Sequence, residues 1–87
     1  MIIQEISNIK RKNMLIAYRR EYTADAHVLF HAPPVHSYPI EFSLELTAFG
    51  ASVVRVKLLG QIEYPVLPVV TALKEKVHEL DKAGSLP

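Results

Sequence analysis

The chain has 87 residues, a formal charge of +1, 49% hydrophobic against 22% charged residues, and neither cysteine nor tryptophan. A chain this short buries only about 60–65% of the surface its unfolded form exposes, so it builds one small core, and its aliphatic content places it outside the disordered class. The absence of cysteine excludes disulfides, thiolate nucleophiles and thiolate metal sites, and points to a reducing compartment, the cytoplasm.

The start, Met1-Ile2-Ile3-Gln4-Glu5, carries an acid where a secretory signal is basic, and no run approaches the roughly 20 apolar residues that cross a bilayer. No membrane association is expected. The expected organisation is a single domain over 1–87, with an N-terminal segment 1–12, a sheet over 13–59 and a helix over 66–83.

In the N-terminal segment Ile2, Ile3, Ile6 and Ile9 fit a helical face better than a strand, although β-branched side chains are indifferent helix formers. The segment is expected to be a helix or a fifth strand. Residues 14–22 and 26–32 resemble a hairpin, with Met14, Ile16 and Tyr18 meeting Ala26, Val28 and Phe30 across a turn at Thr23-Ala24-Asp25. The run from Ala32 to Pro39 contains Pro33-Pro34, which cannot donate to a ladder, so it is expected to be a stiff extended loop.

A second hairpin follows from strict alternation of Ile40, Phe42, Leu44 and Leu46 with polar residues, answered by Val54, Val56 and Leu58. Matching the two apolar faces demands an odd-numbered loop. Ala48-Phe49-Gly50 supplies it, with glycine at the left-handed position, Glu41 opposite Lys57 and Leu44 opposite Val54. From Val66 to Lys82 the stripe Val66, Val70, Leu73, Val77 and Leu80 marks an amphipathic helix. Pro65 and Pro68 suit its first turn, and Gly84 its left-handed C-terminal cap. The expected fold is α+β: a four-stranded antiparallel sheet of two hairpins with a C-terminal amphipathic helix on one face.

The uncovered face then carries Leu15, Ala17 and Leu29 close together, an apolar patch that self-association or a partner protein would cover. With His27, His31 and the hairpin-tip Phe49 these form the expected interaction face. A sheet edge offers a second route to a partner, since its backbone groups are unpaired. An alternative reading is weak binding of RNA or single-stranded DNA over residues 10–20, where Lys10, Arg11, Lys12, Arg19 and Arg20 lie beside Tyr18 and Tyr22. Alternation weakens that reading by sending Arg19 and Arg20 to opposite faces.

The four histidines do not make a metal site: His27 and His31 on one strand stand about 13 Å apart, too far to share an ion, and only His36 in the proline loop can approach His31. The serines lack a nucleophile context and the three glycines are too scattered to cradle a phosphate. No cofactor is expected, and the sequence reads as a non-enzymatic interaction or self-association module.

Overall fold

The computed structural model describes residues 1–12 and 17–87. Four strands, β1 (Ile2–Arg11), β2 (Arg19–Leu29), β3 (His36–Leu46) and β4 (Ser52–Leu58), precede one helix, α1 (Val66–Lys82). The strands form an antiparallel meander in the order β1-β2-β3-β4, so β1 and β4 are the edges.

The fold class stands, and so does the second hairpin. Glu41 pairs with Lys57 and Leu44 with Val54. At the loop the Thr47 N–H and hydroxyl donate to the Ala51 carbonyl at 2.9 and 3.0 Å, and Gly50 sits at φ +80°. The first hairpin is placed differently. β2 runs unbroken through Thr23, Ala24 and Asp25, because Tyr22, Ala24, Ala26 and Val28 are one alternating buried series. Its partner is the N-terminal segment itself, which is neither helix nor a fifth strand but the first of four.

β1 explains its own misleading pattern. Ile3, Ile6 and Ile9 recur every third residue, yet all three pack against the core from a strand. Between Ile3 and Glu5, and again between Ser7 and Lys10, β1 holds one residue more than β2 sets opposite. Each extra residue shifts the side chains that follow by one position, so a spacing of three keeps them on one face. At the second bulge Asn8 adopts φ 53°, a left-handed conformation that asparagine tolerates better than most residues, and its amide donates to Asp25 Oδ2 at 3.3 Å.

β3 begins at His36, so residues 36–39 of the expected loop are strand, including Pro39. Proline fits there because its carbonyl accepts the Leu59 N–H at 3.0 Å, while its missing donor falls opposite a position where β4 has already ended.

The core lies between the even-numbered face of β2–β4 and α1. It is built on Tyr22, Ile40, Leu44 and Val28 from the sheet and Val69, Leu73 and Val77 from the helix. The buried stripe is therefore centred one residue off the expected one: Val69 is enclosed, Val66 is exposed, and Val70 and Leu80 are half-buried. Val66 is in the first turn and lines the groove beside β4 rather than the core. The helix ends as glycine requires: Gly84, at φ +69°, donates to the Asp81 carbonyl and Ser85 to that of Leu80, satisfying two terminal acceptors. Tyr22, fully enclosed, stacks on Phe42 at 4.9 Å and donates its hydroxyl to the Pro87 carbonyl at 2.9 Å, drawing the C-terminal tail over the sheet.

Candidate functional site

The face away from α1 is charged, not apolar. Lys12 reaches Glu41 at 3.4 Å and Glu21 at 3.9 Å, and Arg19 reaches Glu21 at 3.2 Å and Glu45 at 3.4 Å. These groups are bound strand to strand in a lattice of alternating sign, the arrangement cross-strand pairing favours. The expected patch of Leu15, Ala17 and Leu29 does not form. Ala17 is exposed in the turn before β2 and Leu29 is the last residue of that strand, about 33 Å away for 10 steps of 3.3 Å. Leu15 lies outside the described residues, as do Met14 and Ile16.

The histidines part company as well. His27 stands on the charged face against the Ser7 hydroxyl at 2.6 Å, whereas His31 is in the loop after β2. Phe49 is 97% exposed at the hairpin tip, and Tyr18, expected in the core, is exposed in the turn before β2.

The basic segment is divided by the same alternation. Lys12 and Arg19 are tied to carboxylates on the charged face. Arg20 crosses to the other side, where it donates to Asp81 of α1 at 2.9 Å and to the Tyr22 hydroxyl at 3.3 Å. The hydrogen bond to Asp81 is the main cause that raises the Arg20 pKa, with burial opposing it. Lys10 and Arg11 are exposed at the end of β1 and, among the described residues, make no ion pair.

Two concave sites flank the linker between β4 and α1. One is a groove of about 500 Å³ beside the β4 edge, walled by Val56, Leu58, Ile62, Val66 and Val70. Because the Leu59 N–H bonds to Pro39, the odd-numbered residues of β4 face β3, and the amides of Val54, Val56 and Leu58 point outward from the sheet. Arg55 and Lys57 lie exposed on the opposite side of that edge from the groove. β1, the other edge, is interrupted by its two bulges, which makes it a poor template.

The second is a cleft of about 540 Å³ where the loop after β2 meets the linker. Phe30 and Tyr64 stack at 4.6 Å, and Tyr38 stands edge-on to Phe30 at 6.3 Å. His36 lies 5.8 Å from Phe30 and His31 lies 6.2 Å from Tyr64, while Glu63 completes the wall. Among the described residues no three His, Cys, Asp or Glu side chains converge as a metal site would require.

A protein-family model, that of the BB_0187 family, matches residues 1–82, which span all four strands and the helix. The chain belongs to this family. No curated protein and no solved structure matches it. Among the described residues of this BB_0187 family member, no helix is long and apolar enough to cross a membrane.

The sequence signals for the two concave sites differ. That β4 ends a sheet beside an amphipathic helix was readable from alternation and stripe. The aromatic cleft was not: Phe30, Tyr38 and Tyr64 share no local period. They meet because β2 pairs with β3 in the register Val28 to His36, which carries Phe30 to the start of β3.

Proposed function

We propose that this chain is a small, cytoplasmic, non-enzymatic interaction module that takes an extended segment of a partner protein onto the free edge of β4. The observation that supports it is the outward row of Val54, Val56 and Leu58 amides beside the apolar groove, with Arg55 and Lys57 on the other side. Main-chain hydrogen bonds would provide the affinity and alternate side chains the selectivity.

The fitting segment alternates apolar and acidic residues, apolar toward the groove and acidic toward Arg55 and Lys57. β3 meets β4 in the same way on its other side, with Glu41 against Lys57. A second copy fits less well: the register that overlaps β4 fully with its own copy sets Arg55 opposite Arg55, and like charges directly opposite repel.

The test is fluorescence anisotropy with labelled peptides of alternating valine and glutamate, or valine and lysine, long enough to cover β4. The glutamate peptide is expected to bind and the lysine peptide not, with the preference reversed in Arg55→Glu/Lys57→Glu. Equal binding of both peptides, or of neither, contradicts the reading. A dimer by light scattering that competes with the peptide would assign the edge to a second copy instead.

A further inference from the structure

We infer that the cleft between the β2–β3 loop and the linker before α1 is a binding site for a methylated ammonium cation. Its walls are aromatic and set at different inclinations. Phe30 and Tyr64 lie 29° from parallel, Tyr38 is turned 68° from Phe30, and the His31 ring 55° from Tyr64. Rings inclined in this way form more than one wall of a cage rather than a flat platform.

Aromatic faces carry negative partial charge and attract a cation placed over them. Glu63 lines the same cleft, and no lysine or arginine does, so the formal charge there favours a cation and opposes a phosphate or carboxylate. A bare ammonium is strongly hydrated and loses that shell on entering an apolar cage, whereas a methylated one presents apolar surface with the same charge. The volume of about 540 Å³ is within the range of small-ligand pockets and exceeds what one such headgroup fills. Phe30 and Tyr64 both pack against the core from beneath, which holds the walls in place without a ligand.

The cation could be free or carried on a partner's side chain, and the experiment separates these sources. Nitrogen-labelled protein is titrated at constant ionic strength with choline, with choline's neutral carbon isostere, and with a trimethyl-lysine peptide beside its unmodified form. Saturable shifts at Phe30, His31, Tyr38 and Tyr64 are expected, with choline bound at least about 5-fold more tightly than the isostere. Glu63→Gln, an exposed substitution, is expected to weaken choline at least about 3-fold without changing the melting temperature. Binding of choline alone indicates a free cation, and tighter binding of the methylated peptide a protein-borne one. Equal binding of the isostere, an unchanged affinity in Glu63→Gln, or no saturable shift with either cation overturns the inference. The β4 edge shares only Gln61 and Ile62 with this cleft, so failure here leaves the peptide test independent.

Discussion

Arg19 and Arg20 are neighbours that meet different partners, and the second of them links sheet, helix and tail. Arg20 touches both Asp81 and the Tyr22 hydroxyl, and that hydroxyl reaches Pro87. Asp81→Asn is expected to lower stability by about 0.5–1.5 kcal/mol, as a partly exposed charge-assisted bond does, and Tyr22→Phe by about 1 kcal/mol, both measured by urea denaturation. Because the Arg20 pKa is raised on folding, its contribution is complete at every pH below the ordinary guanidinium value and fades only above the folded one. The Asp81→Asn deficit should therefore stay constant from pH 7 to about 10. Alternation alone separated the two arginines, but the identity of Asp81 as partner depends on how the helix lies across the sheet, which no local pattern encodes. Asn8 belongs to the same scale. Asn8→Val should cost about 1–2 kcal/mol and Asn8→Gly much less, since only a residue tolerant of positive φ suits the bulge.

At the scale of elements, legibility followed the regularity of the backbone. The hairpin of β3 and β4 was readable to the register because neither strand is bulged there and parity fixes the loop. Gly50→Ala tests that loop. Open space surrounds the position a Cβ would take, so the expected loss of about 1 kcal/mol is purely conformational, and Gly50→Asn should lose less. β1 was unreadable for the opposite reason: its two bulges convert a period of two into a period of three, and three suggests a helix. The misplaced turn at Thr23-Ala24-Asp25 followed from that error, since a helical N-terminus leaves β2 to find its partner elsewhere. The helix stripe was right in kind and displaced by a residue, because Val69 replaces Val66 under the sheet. Leu73→Ala, at the centre of that stripe, should cost about 2–4 kcal/mol. That is a large part of the roughly 4–13 kcal/mol available to a chain of this length, and a thermal melt would show it as a greatly lowered Tm.

For the molecule as a whole, what matters is which surfaces remain open once the core is built. The charged face satisfies itself through Lys12, Arg19, Glu21, Glu41 and Glu45, so it is a solvated surface rather than the apolar patch that Leu15, Ala17 and Leu29 suggested. β1 is blunted by its bulges, which leaves β4 as the regular edge. The most direct measurement is amide hydrogen exchange, residue by residue, with and without the alternating valine–glutamate peptide. The account predicts slowed exchange at Val54, Val56 and Leu58 on binding, with little change at Val53, Arg55 and Lys57, whose amides already face β3. Protection that falls instead on the charged face or on β1, with those three amides unaltered, would contradict it.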